Sequence, residues 1–129
     1  MAEVKRESGE LQAEWFEVNG IYEGEFKLYY KTGQLYKIWN YVNNKRNGEY
    51  KEYYENGQLH VICNYVNGIK QGEVKYYYKN GQLLVICNYV NDKFEGIYKE
   101  YHKNGQLFKI CNFVNGKQEC EQNFYFENG

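Results

Sequence analysis

The sequence predicts an all-β protein: an elongated, single-layer antiparallel sheet made of tandem β-hairpins. Glycine recurs with a constant step of 24 residues in the pattern (Asn/Thr)-Gly-Gln-Leu, at Gly33, Gly57, Gly81 and Gly105. A Val-Asn pair recurs with the same step and without insertions, from Val18-Asn19 to Val114-Asn115. The intervening segments are rich in aromatic and β-branched residues, which favour strands. A fixed period of about 20–50 residues is typical of repeat arrays.

One unit shows how each hairpin is expected to form. Residues 49–56, EYKEYYEN, are aromatic-rich and roughly alternating, which predicts a strand. Asn56-Gly57 supplies two residues that tolerate positive φ and therefore predicts a two-residue type I′ turn. Residues 59–66, LHVICNYV, predict the returning strand. Asn67-Gly68 and the polar residues up to Gly72 are expected to form a second, looser turn into the next hairpin.

The predicted turn also assigns cross-strand pairs and two faces. The expected pairs are Tyr54 with Leu59, Tyr53 with His60, Lys51 with Ile62, and Tyr50 with Cys63. The better-packed face is expected to carry Tyr50, Tyr54, Leu59, Val61, Cys63 and Tyr65. The other, mixed face is expected to carry Lys51, Tyr53, His60, Ile62 and Val66. A bulge at the turn would exchange part of this assignment.

The repeat phase divides the 129 residues, which form about one domain. Residues 1–23 are predicted to be a degenerate N-terminal capping unit, residues 24–119 four hairpin units of 24 residues, and residues 120–129 a C-terminal half unit. Residues 122–126 predict a strand whose hairpin partner is missing. An unpaired strand edge is a template for another chain, which is one route to self-association.

Composition and charge narrow the function classes. The formal net charge of -1 argues against general binding to nucleic acid or to an acidic membrane. No apolar run approaches about 18 residues, so no transmembrane helix is expected. The charged N-terminal segment lacks the apolar stretch of a secretory signal, so a cytoplasmic location is expected.

The cysteines are expected to be structural. Equivalent positions in successive hairpins lie two strands apart, about 9.6 Å, whereas a disulfide needs Cα atoms within about 7 Å. Cys63, Cys87 and Cys111 therefore cannot bridge one another, and Trp39 holds the same slot in an earlier unit, which favours a core-filling role. Cys120 stands outside this series and is a candidate for an intermolecular disulfide.

No catalytic or metal-binding pattern is present in the sequence. His60 and His102 occupy different phases of the repeat, and no Ser/His/Asp set, HExxH, phosphate loop or CxxC occurs. A single-layer sheet also offers little concavity for a substrate. We therefore expect no enzyme activity, no cofactor and no metal site.

Two polar columns repeat along the chain. Lys27, Lys51, Lys75 and Lys99 could meet phosphates, but Glu25, Glu49 and Glu73 lie two residues earlier on the same face. Cross-strand ion pairing on a solvated surface is the favoured interpretation, with lipid head-group binding as the alternative. The asparagines at positions 40, 64, 88 and 112 are expected to bridge neighbouring strands.

A strip of aromatic residues is the candidate partner-binding site. Tyr29, Tyr53, Tyr77 and Tyr101 are constant, whereas the residues predicted to pair with them differ: Tyr36, His60, Leu84 and Phe108. In repeat proteins the constant positions usually build the scaffold and the variable positions meet the partner. Aromatic rings give large contact area at small entropic cost. The competing interpretation is that this strip only packs on itself.

The repeated pattern G-x-(Y/F/V)-K-x-Y-(Y/H)-x-N-G-Q-L, followed by N-(Y/F)-V-N-(G/D)-K, resembles the variant MORN repeat (membrane occupation and recognition nexus) over residues 9–129. The resemblance implies a non-catalytic hairpin array that mediates protein–protein interaction. Self-association into a homodimer is left open through either the unpaired C-terminal edge or the aromatic strip, and the sequence does not rank these two routes. It also leaves two alternatives open: an antitoxin-like regulator that binds a toxin, and a peripheral lipid-binding module, which the near-neutral charge disfavours. The identity of a protein partner does not follow from the sequence.

Overall fold

The structure is a computed structural model that describes residues 2–5, 9–118 and 123–124 of the chain. Every regular element among these residues is a β-strand, and all of them join one open antiparallel sheet, so the predicted fold class is confirmed. The strands are β1 (Ala2–Lys5), β2 (Leu11–Val18), β3 (Ile21–Tyr29), β4 (Leu35–Val42), β5 (Lys45–Arg46), β6 (Gly48–Tyr53), β7 (Leu59–Val66), β8 (Ile69–Lys70), β9 (Gly72–Tyr77), β10 (Leu83–Val90), β11 (Lys93–Phe94), β12 (Gly96–Tyr101), β13 (Leu107–Val114), β14 (Lys117–Gln118) and β15 (Asn123–Phe124).

The chain runs back and forth along the sheet, so spatial neighbours are close in sequence. The long strands follow the order β1-β2-β3-β4-β6-β7-β9-β10-β12-β13. The two-residue strands β5, β8, β11 and β14 pair back onto the long strand that precedes them. β15, the described part of the predicted strand at residues 122–126, pairs with β13.

The connections that follow β4, β7 and β10 are tight turns. Asn67 and Gly68 have φ of 50° and 83°, and they join Val66 and Ile69, which lie directly opposite each other. Two successive residues with positive φ between paired strands define a type I′ turn. The prediction of a looser turn that extends from Asn67 to Gly72 is therefore wrong, because Ile69 and Lys70 already pair with β7.

The connection at the Gly-Gln-Leu pattern is one residue longer than predicted. Gly57 has a φ of 87°, whereas Asn56 is not among the residues with positive φ. The amide of Gly57 donates to the carbonyl of Tyr54 over 3.0 Å, and the amide of Tyr54 donates to the carbonyl of Gln58 over 2.9 Å. This is a three-residue hairpin loop, a type I turn followed by a left-handed glycine. The predicted two-residue turn is wrong because asparagine is compatible with both turns.

The register is the predicted one in the middle of the hairpin. Tyr50 lies opposite Cys63, and Lys51 lies opposite Ile62. Opposite residues share a face, so the predicted separation of these two pairs between the faces is confirmed.

Near the turn, a bulge changes the register. Glu52 pairs with Val61 but Tyr53 pairs with Leu59, so His60 has no residue directly opposite. The predicted pairings of Tyr53 with His60 and of Tyr54 with Leu59 are therefore wrong. A bulge of this kind leaves two residues of one strand opposite one residue of its partner. As a result Leu59 lies on the mixed face and His60 on the better-packed face.

One face of the sheet holds the packed core, and we call it the core face. Ring centroids of Trp15 and Phe26 are 5.2 Å apart, and those of Phe26 and Trp39 are 4.8 Å apart, all nearly parallel. Smaller residues continue the row, with Val74 fully buried. The central row runs through Trp15, Phe26, Trp39, Tyr50, Cys63, Val74, Cys87, Tyr98 and Cys111. The predicted core-filling role of Trp39 and of the cysteines at 63, 87 and 111 is confirmed by their burial.

The two-residue strands β5 and β8 each place a cationic side chain over this core. The Arg46 guanidinium lies 4.7 Å from the ring centroid of Trp39, 5.5 Å from that of Tyr50 and 5.6 Å from that of Tyr65. One repeat later, the Lys70 ammonium lies 4.8 Å from the centroid of Tyr89. Cations over aromatic faces are attracted by the ring quadrupole.

Side-chain hydrogen bonds join successive hairpins at both margins of the sheet. At one margin, the second tyrosine of each Tyr-Tyr pair donates its hydroxyl to the backbone carbonyl of the first tyrosine in the next hairpin: Tyr30 to Tyr53, Tyr54 to Tyr77, and Tyr78 to Tyr101, over 2.6–2.8 Å. At the other margin, the turn amide of Asn91 donates to Gln71 Oε1 over 2.7 Å. A lone hairpin is marginal in water, so these bonds help the hairpins to stabilise one another.

The asparagine column contributes as predicted at Asn40. The Asn40 side-chain Nδ2 donates to the backbone carbonyl of Asn47 over 3.3 Å. The backbone carbonyl of Asn40 accepts a hydrogen bond from the backbone amide of Asn47 over 2.9 Å. These two bonds close the gap between β4 and β6, where the ladder is interrupted.

Candidate functional site

The face opposite the core is built from four rows that cross the strands, and we call it the charged face. In the second hairpin the rows run through Val66, through Glu49 with Asn64, through Lys51 with Ile62, and through Tyr53 with Leu59. The full rows are a valine row (Val18, Val42, Val66, Val90, Val114), a glutamate row (Glu25, Glu49, Glu73, with Asn40, Asn64, Asn88, Asn112), a lysine row (Lys27, Lys51, Lys75, Lys99, with Ile38, Ile62, Ile86, Ile110) and a tyrosine row (Tyr29, Tyr53, Tyr77, Tyr101, with Leu35, Leu59, Leu83, Leu107).

The lysines of this face pair mainly with glutamates of their own strand. The in-strand pairs are Lys27–Glu25 at 3.8 Å, Lys51–Glu49 at 3.1 Å and Lys75–Glu73 at 3.4 Å. A cross-strand pair occurs at Lys27, whose Nζ also lies 4.0 Å from Glu14. At Lys51 and Lys75 the predicted cross-strand pairing is wrong, because isoleucine lies directly opposite.

The fourth unit breaks this charge pattern. Ile97 stands where the earlier units have glutamate, and its side chain is 52% exposed. Among the described residues, Lys99 consequently lacks the glutamate two positions earlier with which Lys27, Lys51 and Lys75 pair. The charged face is therefore less acidic at its C-terminal end.

Most exposed large apolar side chains of the described residues also lie on the charged face. Val66 is 46% exposed and Val90 is 44% exposed. The complete set on this face is Val18, Ile21, Val42, Val66, Ile69, Val90 and Ile97. Scattered exposed apolar residues need no explanation, whereas a continuous row is typical of a contact surface.

Three shallow cavities repeat on the charged face between successive hairpins. Their volumes are about 300, 200 and 280 Å³. The middle cavity is lined by Glu49, Ile62, Asn64, Glu73 and Lys75. Equivalent positions line the other two, except that Ile97 replaces glutamate in the third. The charged face thus presents nearly the same chemistry in each unit.

The core face differs from unit to unit at the margin beside the three-residue turns. The variable residues predicted from the sequence lie here, at the bulge. The ring of Tyr36 lies 4.6 Å from that of Tyr30, and the ring of His60 lies 4.2 Å from that of Tyr54. Each therefore packs on the second tyrosine of the Tyr-Tyr pair. The predicted pairing with the first tyrosine is wrong, because the bulge moves the residue to the other face.

Neighbouring positions on this margin vary as well. We call the whole set the variable strip, and it consists of Tyr36, His60, Leu84 and Phe108, of Leu28, Glu52, Tyr76 and Glu100, and of Lys37, Val61, Val85 and Lys109. Sequence reasoning found the first four and missed the other eight. The signal for them was present, since they depart from the 24-residue repeat, but only the register shows that they share a face.

Glu52 organises the strip in the second unit. Its carboxylate accepts a hydrogen bond from the Tyr50 hydroxyl over 3.0 Å, lies 3.3 Å from His60 Nδ1 and lies 3.8 Å from Lys37 Nζ. Burial and the nearby Glu52 charge both raise the pKa of Tyr50 and of Tyr54, so these phenols stay protonated. Partly buried donors and acceptors at fixed positions give this unit a defined polar surface.

The third unit presents an apolar version of the same surface. Tyr76 stands in place of Glu52, and Leu84 in place of His60. The strip therefore changes from polar to apolar over one repeat, a distance of about 9.6 Å.

The structure separates the eight predicted partner-binding residues into two groups. Tyr29, Tyr53, Tyr77 and Tyr101 lie in the tyrosine row of the charged face. Tyr36, His60, Leu84 and Phe108 lie in the variable strip of the core face. The eight residues therefore do not form one strip. The second tyrosines, which link the hairpins, were missed, although they too recur with a step of 24 until His102 replaces them.

The cysteines of the central row are buried. Burial raises the pKa of the Cys63 thiol and raises that of Cys87 to about 11. Cys120, the candidate for an intermolecular disulfide, lies outside the described residues. Over the described ranges, no group of three or more His, Cys, Asp or Glu side chains is arranged to hold a metal ion. No helix long and apolar enough to cross a membrane occurs in the part of the chain that the structure describes.

The hairpins, their step and their side-chain pattern define a tandem-repeat array. A family model described as the MORN repeat variant matches residues 22–43, 46–67, 70–91 and 94–115, which is more than half of the chain. The chain belongs to this family. Repeats of this family are generally non-catalytic binding modules. A comparison with curated proteins gave no match.

Proposed function

We propose that this chain is a non-catalytic scaffold that binds another protein through the variable strip of its core face. The observation that carries the proposal is the contrast between the faces: the charged face repeats almost unchanged, whereas the variable strip differs in every unit. Binding sites of repeat proteins lie where residues vary on a constant frame. The frame beneath this strip is the row of linked tyrosines Tyr30, Tyr54 and Tyr78.

The size of the strip suits a polypeptide segment. From Tyr36 to Phe108 it spans three repeats, about 29 Å at 4.8 Å per strand. An extended segment of about nine residues has this length. The sequence of side chains along it, with Glu52 and His60 followed by Tyr76 and Leu84, supports a partner that offers a polar group and then an apolar group.

The ion pairs on the charged face favour a protein partner over a phosphate surface. Lys51 and Lys75 each lie within 3.4 Å of a glutamate carboxylate, which offsets their charge locally. A lipid-binding module needs a net basic surface. The ion pairs therefore disfavour lipid binding. The experiment below tests lipid binding and an antitoxin-like role as alternative outcomes.

Affinity capture with matched variants tests the proposal. Immobilised wild-type protein is compared with His60→Ala/Leu84→Ala, which alters the strip, and with Lys51→Ala/Lys75→Ala, which alters the charged face. We expect a stoichiometric partner that the strip variant loses and the charged-face variant keeps. A strip variant that folds normally, by circular dichroism, and still binds every partner would contradict the proposal. The identity of the partner then decides between a scaffold and an antitoxin, and sedimentation with anionic vesicles at low salt tests for lipid binding.

A further inference from the structure

The charged face carries a pattern that is complementary to itself. Its four rows lie in the order valine, glutamate, lysine, tyrosine across the strands. The two outer rows are apolar and the two inner rows carry opposite charges. When a second copy lies face to face with the first and its row order is reversed, each outer row contacts an apolar row. Each charged row then contacts a row of the opposite charge.

We propose that the charged face is the interface of a homodimer, in which two copies of this chain lie face to face about a two-fold axis that runs along the array. This axis reverses the order of the rows while it keeps each strand opposite the same strand of the partner. The interface is isologous, so every contact occurs twice. The inference is independent of the variable strip, which lies on the other face.

The central contacts of such a dimer are between charges of opposite sign. Glu49 faces Lys51 of the second copy, and Lys51 faces Glu49 of the second copy. Because Glu49 and Lys51 are already 3.1 Å apart within one chain, dimerisation converts two pairs into a four-charge cluster. The same arrangement recurs at Glu73 and Lys75, which are 3.4 Å apart. Networks of this kind contribute more than single exposed pairs.

The outer contacts bury the exposed apolar residues. Val66, which is 46% exposed, faces Leu59 of the second copy, since both lie on β7. In the fourth unit, Ile97 faces Lys99 of the second copy, whose aliphatic stem can cover it. The dimer therefore accounts for the exposed valine row, for which the single chain offers no covering element among its described residues.

The other two-fold axis in the plane of the face, along the strands, gives no such match. About that axis each row contacts the same row of the second copy, so the glutamate row does not meet the lysine row. The row order thus selects the axis along the array.

The area is sufficient for a stable dimer. From β2 to β13 the sheet order contains nine strands, which at about 4.8 Å give a length of about 38 Å, and four rows two residues apart give a width of about 20 Å. The product is on the order of 800 Å² per copy, the usual size of a specific interface. The near-identical chemistry of successive units also suits a second copy, whose rows repeat with the same spacing.

Charge reversal tests the central contacts. We expect wild-type protein to have twice the mass of one chain by light scattering, with weaker association at high salt. In the second and third units, Glu49→Lys/Glu73→Lys makes both inner rows basic, and Lys51→Glu/Lys75→Glu makes both acidic. Each variant alone is expected to be monomeric, and an equimolar mixture is expected to form a one-to-one heterodimer.

Cysteine cross-linking tests the direction of the axis without changing charges, so it remains informative where a reversal variant fails to fold. In a Cys120→Ser background, a Val66→Cys chain mixed with a Leu59→Cys chain is expected to give a disulfide-linked heterodimer. Neither chain alone is expected to cross-link to itself. His60→Ala/Leu84→Ala on the core face is the control and should leave the dimer unchanged.

Three results would overturn the proposal: wild-type protein that is monomeric over the whole concentration series, reversal variants that fold and dimerise like the wild type, or a Val66→Cys chain that cross-links efficiently to itself. A variant that loses the dimer but still captures the partner of the variable strip would show that the two surfaces act separately. Failure of the dimer thus leaves the proposed function intact, and the reverse also holds.

Discussion

The hydroxyl of Tyr54 donates a 2.7 Å hydrogen bond to the backbone carbonyl of Tyr77, in the next hairpin of the array. The equivalent bonds join Tyr30 to Tyr53 and Tyr78 to Tyr101. The same hydrogen bond therefore recurs with the repeat period of 24 residues, because the tyrosine hydroxyl of one unit reaches the backbone of the next unit. The array gains stability from such inter-unit contacts in addition to its backbone ladder.

Replacing Tyr54 by Phe should destabilise the protein by about 0.5–1.5 kcal/mol, the usual net contribution of a hydrogen bond. The ring and its contact with His60 remain, so the change reports on the hydroxyl. Chemical denaturation of both proteins measures the difference. Tyr53→Phe is the matched control, since the Tyr53 hydroxyl forms no hydrogen bond with the described residues. Equal losses in the two variants would show that the inter-hairpin bond contributes nothing specific.

Replacing Gly68 by Ala should cost about 1–2 kcal/mol, because Gly68 has a φ of 83° in its type I′ turn and a Cβ is disfavoured there. Thermal or denaturant unfolding measures the loss. Gly68→Asn is expected to cost less, since Asn44 holds the equivalent turn position with a φ of 67°. An alanine variant as stable as the asparagine variant would contradict this account of the turn.

The free energy of unfolding should fall as the pH rises above about 10, in part through Tyr29. Burial, and next the hydrogen bond to Glu14, raise the pKa of Tyr29 from 10.0 to about 12. The folded state therefore holds the phenol proton longer than the unfolded state does. The contribution is complete below the unfolded pKa and is lost between about pH 10 and pH 12. Denaturant unfolding at a series of pH values measures it. Tyr29→Phe should show a shallower alkaline loss, and an unchanged slope would contradict the assignment.

The central thiols should resist alkylation in the folded protein. Cys87 is 3% exposed, and burial raises its pKa to about 11, so little thiolate is present at neutral pH. Mass spectrometry after iodoacetamide treatment is expected to show Cys63, Cys87 and Cys111 modified only after denaturation. Rapid modification of these residues in native protein would mean that the core face opens.

The sequence by itself determined the period, the class of structure and most of the core. Constant spacing placed every hairpin, because insertions would have broken the series of Val-Asn and Gly-Gln-Leu markers. Alternation in the middle of each strand, as at Tyr50 and Lys51, correctly separated the two faces. These features depend on local backbone preference and on a side-chain period of two, both of which are visible in a single chain.

The tertiary structure alone decided which residues near the turns share a face of the sheet. The three-residue turn at Gly57 and the bulge at His60 each change the pairing by one residue, and one residue is enough to move a side chain to the opposite face. Asparagine and glycine suit both turn types, so their identities do not fix the loop length. The inter-strand ladder and the packing of His60 on Tyr54 fix it, and for this reason the variable strip and the charged face emerge only from the assembled sheet.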